Sequence, residues 1–118
     1  MTQYLLLLHS KPSVDATLTP SAMQEAVARY KAWAGALAAK GQLAGGEKLT
    51  DDGGRALRLR DGVPVASDGP YAEAQDVVGG YFLINAGSDD EAARIAATCP
   101  HLAGTQWIEI RRVETLGG

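Results

Sequence analysis

The chain has 118 residues, of which 46% are hydrophobic and 21% charged, and its formal net charge is −3. This length suits a single domain over residues 1–118, and the composition is typical of a globular protein. The negative charge argues against nucleic-acid binding, and the longest apolar run, Leu5 to Leu8, is far shorter than the ~20 residues that cross a membrane. A single cysteine and the lack of a recognisable signal peptide favour the cytoplasm.

The first predicted strand runs from Tyr4 to His9, because six residues before Ser10-Lys11-Pro12 are too few for a stable helix. Both of its faces are apolar. One face carries Leu5, Leu7 and His9, and the other carries Tyr4, Leu6 and Leu8. A strand that is apolar on both faces needs cover on both sides. We expect helices to cover one face and the sheet of a second copy to cover the other, which predicts a homodimer.

A long helix is predicted from Pro20 to Lys40. Thr19 suits the N-cap, Pro20 suits the first helical position, and Gly41 ends the helix. Trp33 lies beside the apolar stripe of this helix and is a candidate for lining a substrate pocket. Five residues at helical spacing form the stripe, which is expected to face the core: Met23, Val27, Tyr30, Ala34 and Leu37.

A weak strand from Gln42 to Leu49 is followed by a predicted hairpin. Arg55 to Arg60 alternates polar and apolar residues, Asp61-Gly62 is a strong hairpin turn, and Val63 to Ala66 returns as an edge strand that contains Pro64. Arg58 and Arg60 share one face, and Leu57 and Leu59 share the other. We expect the basic face to be solvated rather than to bind an anion.

The C-terminal part predicts strand, helix and strand. Tyr81 to Ala86 is again apolar on both faces, and Ser88 to Glu91 is a capping box that begins a helix stopped by Pro100. Trp107 to Arg111 alternates as a strand with one wet face. Right-handed crossovers then place the first and third main strands at the centre of a four-stranded antiparallel sheet. Four residues of the second helix are expected in the core: Ala92, Ile95, Ala96 and Cys99.

The segment from Ser67 to Ala86 joins a turn to the central strand. In Asp68-Gly69-Pro70, glycine and proline favour a turn, and the carboxylate can accept backbone hydrogen bonds. A carboxylate held in this way suits a general base, but it equally suits a plain turn cap. The pair Gly79-Gly80 indicates a place where a backbone or a ligand approaches the strand closely.

The run Asp68-Gly69-Pro70-Tyr71-Ala72-Glu73, followed by Gly79-Gly80-Tyr81, resembles the signature of the YCII-related superfamily, in the branch named for its Asp-Gly-Pro-Phe (DGPF) motif. The resemblance covers nearly the whole chain. It implies a ferredoxin-like α+β fold, βαββαβ with an inserted β-hairpin, that pairs into a dimeric α+β barrel.

Two departures from that pattern bear on chemistry. Tyr71 stands where the motif has Phe and adds a hydroxyl, and Ala74-Gln75-Asp76 replaces Thr-Lys-Glu, so any role of that lysine is absent. In other YCII branches a histidine on the first helix pairs with an aspartate as a proposed catalytic dyad. The first helix here contains no histidine, which puts that dyad in doubt.

Neither a metal nor a cofactor is expected. Cys99 and His101 supply only two ligands where structural zinc needs four, and the chain has no phosphate-binding loop or dinucleotide fingerprint. Cys99 falls on the core side of its helix, where a thiol is usually inert.

Acid–base chemistry remains, with His9 and Asp68 as the candidate catalytic residues. If the third main strand lies beside the first, Asp68 comes within reach of His9, orients its ring and raises its basicity. Tyr71 or Tyr81 would donate a hydrogen bond to a substrate. The alternative is a core histidine beside a turn cap. His101, in a loop after Pro100, is expected to be solvated.

Two functions remain open. The first is a cofactor-independent enzyme of lyase or isomerase type that moves a proton on a small aromatic or cyclic molecule. The second is a non-catalytic ligand-binding or regulatory module, since relatives with the DGPF motif are often associated with extracytoplasmic-function sigma factors. An enclosed polar pocket with Asp68 and a histidine would favour the enzyme, and a filled core there would favour the module.

Overall fold

The computed structural model describes residues 2–11, 19–50, 54–68 and 76–116. Among these residues, neither helix is long and apolar enough to cross a membrane. The elements in chain order are β1 (Thr2–Ser10), α1 (Pro20–Ala39), β2 (Leu43–Lys48), β3 (Arg55–Arg60), β4 (Val63–Asp68), β5 (Val77–Ala86), α2 (Asp89–Ala97) and β6 (Trp107–Arg112).

Four strands form one antiparallel sheet in the order β2-β5-β1-β6. The first and third main strands, β1 and β5, lie at its centre, so the prediction of their position is confirmed. With two helices and this sheet the fold is α+β and compatible with a ferredoxin-like fold. The third main strand begins at Val77 rather than at Tyr81, so the glycine pair lies inside the strand.

Both described helices contribute to one core on one side of the sheet. Leu6 and Ile84 are fully buried there, and Leu37 of α1 joins the same cluster. The N-caps occur as predicted, with Thr19 accepting from Ala22 N and Ser88 accepting from Glu91 N. We call this side of the sheet the covered face. The core residues of α2 predicted from the sequence are all buried: Ala92, Ile95, Ala96 and, just after the helix, Cys99.

The opposite side, which we call the open face, carries the alternate residues of the same strands. Leu5 and Leu7 of β1 and Leu83 of β5 are only half-buried. The chain measures 47 × 46 × 18 Å. Its thinnest dimension is that of one sheet and one layer of helices, each roughly 10 Å thick.

The prediction that the whole stripe of α1 faces the core is wrong for its first half. Met23 and Val27 are 38% and 37% exposed, whereas Leu37 is buried. The part of α1 that packs into the core is therefore its second half, with Leu37 buried and Trp33 packed against the core cluster.

The predicted hairpin forms a separate two-stranded sheet, β3-β4. Its turn has positive φ at Asp61 (52°) and Gly62 (79°), as a two-residue type I′ turn requires. The register places Leu57 opposite Ala66 and Arg58 opposite Val65, so Leu57 and Leu59 occupy the opposite face from Arg58 and Arg60, as predicted.

Candidate functional site

His9 lies where β1 leaves regular pairing with β5. Leu8 pairs with Gly80, but His9 pairs with Val78, so Gly79 is an extra residue in β5. Such a bulge bends the strand and redirects side chains. On its other edge His9 pairs with Trp107 of β6, and both side chains point to the open face.

His9 forms a hydrogen-bonded pair with Glu109 of β6. Its Nε2 atom lies 3.0 Å from Oε1 of Glu109, and the side chains are 14% and 33% exposed. The hydrogen bond from His9 lowers the pKa of Glu109 below its ordinary value, and Arg111, at 3.4 Å, adds to the effect. Because an ionised carboxylate only accepts hydrogen bonds, Nε2 of His9 carries the hydrogen. In a neutral ring, Nδ1 then holds the lone pair.

The Nδ1 atom of His9 is buried and has no hydrogen-bond partner in the described part of the chain. Buried polar atoms are usually paired, and unpaired ones concentrate where strain or chemistry requires them. An imidazole with one nitrogen held by a carboxylate and the other carrying a free lone pair is an arrangement that can accept a proton.

Trp107 covers one side of the His9 ring. The two rings stack with centroids 4.0 Å apart and an interplanar angle of 9°. The indole N–H of Trp107 donates to Oδ1 of Asp76, 3.1 Å away, just before β5. Trp107 itself is 41% exposed.

The strand register places the rest of the open face around this pair. Leu7 lies between Tyr81 on β5 and Glu109 on β6, and Leu5 lies between Leu83 and Arg111 in the next row. Since neighbouring strands are about 4.8 Å apart, Tyr81 and Glu109 stand roughly 10 Å apart across Leu7. This leaves an apolar floor, about as wide as one six-membered ring, with polar groups on both sides.

The second histidine has a structural role, and the prediction that His101 is solvated is wrong. It is only 6% exposed. Its Nε2 donates to the backbone carbonyl of His9 at 2.8 Å, so Nδ1 accepts from the Tyr30 hydroxyl at 2.9 Å and from Gln106 at 3.0 Å. Three partners thus hold His101 beneath the end of β1, where it fixes the backbone of His9.

A family model for the YCII-related domain matches residues 2–116 of the chain. The chain belongs to the YCII-related family. A search of curated proteins gave no match to it.

The sequence predicted Asp68 as the carboxylate partner of His9 in this YCII-related protein, whereas the described residues show His9 paired with Glu109. Asp68 ends β4 with its backbone opposite Arg55, and its side chain, like all of Tyr71, lies outside the described residues. The predicted contact between Asp68 and His9 therefore also lies outside the described residues. So does the pocket whose presence would favour the enzyme over the binding module.

The other two predicted site residues lie on opposite sides of the sheet. Tyr81 is on the open face with His9. Trp33 packs edge-on against Phe82 on the covered face, with ring centroids 5.0 Å apart, and its indole N–H donates to Thr98. The structure therefore brings Tyr81, but not Trp33, to the side of the sheet that carries His9.

Three residues of the site were missed by sequence reasoning: Asp76, Trp107 and Glu109. A usable signal was present for the last two, because the alternation in β6 places them on the same face as His9 once β6 is paired with β1. No comparable signal marked Asp76, which precedes the predicted strand.

Among the described residues, no three His, Cys, Asp or Glu side chains lie close enough to hold a metal ion. Cys99 is 3% exposed, and burial raises the pKa of its thiol, so it suits a core position rather than a nucleophile.

Proposed function

We propose that this YCII-related protein is a cofactor-independent enzyme of lyase or isomerase type that transfers a proton on a small molecule bound at the open face. The hydrogen bond between His9 and Glu109 carries the proposal. Glu109 fixes the hydrogen on Nε2 and offsets the positive charge that the ring gains. The lone pair on Nδ1 is then the proton acceptor, and Tyr81, across Leu7, is placed to donate a hydrogen bond to the substrate.

A substrate reaches Nδ1 only after a neighbouring side chain moves, because this atom is closed to solvent. The Nδ1 lone pair lies in the plane of the ring, whereas Trp107 is stacked on the face of the ring with an interplanar angle of 9°. The side chain that moves therefore lies at the edge of the ring, and Trp107 can keep its place against the face.

The proposal includes the homodimer, the dimeric α+β barrel, the DGPF branch and a cytoplasmic location. Half-buried leucines on the open face, at positions 5, 7 and 83, support the dimer, because the sheet of a second copy would remove them from water. A second sheet at that place would also enclose the site around His9. Asp68 and Tyr71 remain proposed contributors from the segment before β5.

The test combines binding with hydrogen exchange. A thermal-shift screen would expose the parent protein, His9→Asn and Glu109→Gln to a library of small aromatic and cyclic carbonyl compounds. Compounds that stabilise the parent would then be incubated with each protein in D₂O and followed by proton NMR. A base that removes a carbon-bound proton from its substrate exchanges it for deuterium, even where the full reaction is unknown.

We expect the parent to bind and to exchange, and His9→Asn to bind with at least 100-fold slower exchange, within the range that general base catalysis contributes. Glu114→Gln is the control, since it removes an exposed carboxylate after β6. A compound that stabilises the parent and His9→Asn equally and exchanges with neither would overturn the enzyme and favour a binding module.

A further inference from the structure

The hairpin formed by β3 and β4 exposes an apolar surface that the rest of its own chain leaves uncovered. We call residues 55–68 the arm. Leu57 and Leu59 on one of its faces are 70% and 72% exposed. On the other face, beside Arg58 and Arg60, Val63 and Val65 are 59% and 41% exposed.

An isolated two-stranded hairpin is marginally stable in water. The arm contacts chiefly itself, since each of its strands pairs only with the other in the described structure. The molecule is also less compact than is usual for a chain of its length. The radius of gyration is 16.2 Å, whereas a compact domain of this length has about 13.5 Å. A hairpin of this kind needs a surface to pack against.

We propose that the arm packs its leucine face onto a second copy of this chain, so that each protomer of the homodimer is held by the arm of the other. The inference rests on the proposed homodimer and adds the part of the chain that secures it. Two-fold symmetry makes the contact reciprocal, so one dimer buries two arms.

The area of the open face favours this arrangement. Four strands about 20 Å long and 4.8 Å apart present about 400 Å² per copy in projection, or about 800 Å² for two copies. Stable interfaces bury about 1,200–2,000 Å² in total. Two arms, each about 20 Å by 10 Å and each covering an equal area of the partner, add about 800 Å². Sheet and arms together reach that range.

Charge also favours a second copy as the occupant. The arm carries three arginines and two aspartates, so the rest of the chain has a net charge of −4 against +1 for the arm. Arg55, two residues before Leu57, lies on the same face of the arm as the leucines. An arm placed with this face on the partner therefore brings a positive charge to residues whose net charge is −4.

The first measurement is the mass of the protein in solution by light scattering over a range of concentrations. The variants are Leu57→Asp combined with Leu59→Asp, and, as the matched control, Leu102→Asp, which changes a leucine 46% exposed in the loop after α2. We expect the arm variant to raise the dimer dissociation constant at least 10-fold and the control to leave it within 2-fold.

The second measurement tests the arm contact even if the Leu57→Asp, Leu59→Asp variant fails to fold, because it uses a different substitution. Because Cys99 is buried, a cysteine placed at position 57 is the accessible thiol for a maleimide reagent. In Leu57→Cys we expect labelling at least 10-fold slower than in Leu102→Cys at concentrations where the protein is dimeric. If dilution dissociates the dimer into monomers, the labelling rates of Leu57→Cys and Leu102→Cys should become equal.

The outcomes separate the two proposals. A parent protein that is monomeric at all concentrations overturns both the homodimer and the arm contact. A dimer in which position 57 is labelled as fast as position 102, or in which a folded arm variant dimerises like the parent, overturns the arm contact alone. Protection that persists in a monomer overturns it too, because the arm would then pack on its own chain.

Discussion

The two faces of the sheet differ in how fully the side chains described below are hydrogen-bonded. On the covered face, the Tyr4 hydroxyl donates to Asp89 at 2.7 Å, which raises the pKa of Tyr4, and both ring nitrogens of His101 have partners. On the open face, His9 has one paired and one unpaired nitrogen. Alternate residues of one strand therefore serve the core and the candidate site, and the two faces predict different responses to mutation.

The largest expected effect is that of His101→Ala. The substitution removes the ring that accepts from the Tyr30 hydroxyl and the Gln106 amide and donates to the His9 carbonyl. Because three partly buried hydrogen bonds and a buried ring are lost together, we expect a loss of about 2–4 kcal/mol in the free energy of unfolding, measured by urea denaturation. Leu102→Ala, at the exposed neighbouring position, should change it by less than about 0.5 kcal/mol.

Gly46 and Gly45 offer the next contrast, since Gly46 pairs with Phe82 on the covered face and Gly45 with Leu83 on the open face. A Cβ on Gly46 would lie 2.7 Å from Phe82 Cδ1 and 2.8 Å from the backbone oxygen of Tyr81, whereas one on Gly45 meets nothing within 4 Å. We expect Gly46→Ala to lose about 1–3 kcal/mol. Gly45→Ala should be neutral or stabilising by up to about 1 kcal/mol. Equal losses in urea denaturation would contradict the contrast.

The next two substitutions each remove one hydrogen bond, and their effects on stability should be smaller. Tyr30→Phe removes the hydroxyl that donates to His101, and Trp107→Phe removes the indole N–H that donates to Asp76. The first bond is partly buried and the second is exposed. Thermal unfolding should show a loss of about 1 kcal/mol for Tyr30→Phe and less than about 0.5 kcal/mol for Trp107→Phe. The reverse order would mean that Trp107 supports the fold more than its exposure indicates.

Local sequence signals predicted most of the fold. Caps at Thr19 and Ser88, the Asp61-Gly62 turn and the two central strands all occur as expected. Each depends on a few neighbouring residues, and such signals are visible in a sequence. The extent of burial along α1 was not predictable in this way, because Met23 and Val27 have the right spacing but are exposed, and spacing alone does not show how much of a helix packs against the core.

The candidate site was predicted only in part, because it depends on pairing between distant strands. His9 was identified, but its partner Glu109 is 100 residues away and becomes a neighbour only through the register of β1 and β6. The buried state of His101 depends likewise on Tyr30, which is 71 residues away. A loop position and a polar side chain suggest solvation unless such distant partners are known.

The smallest expected effect on stability concerns Glu109, and it depends on pH. The folded state lowers the pKa of Glu109 from an ordinary value near 4.5, so the unfolded state binds this proton more readily. The resulting stabilisation is complete above about pH 5 and is lost as the pH falls through the lowered pKa.

Chemical denaturation from pH 3 to pH 8 should therefore show a gap in the free energy of unfolding between the parent and Glu109→Gln at neutral pH, and this gap should close in acid. The gap should shrink in a His9→Asn background, because the hydrogen bond from His9 is the main cause of the shift. If the gap is the same with and without His9, the pairing of His9 with the Glu109 carboxylate does not form in solution, and the proton acceptor assigned to the open face loses its basis.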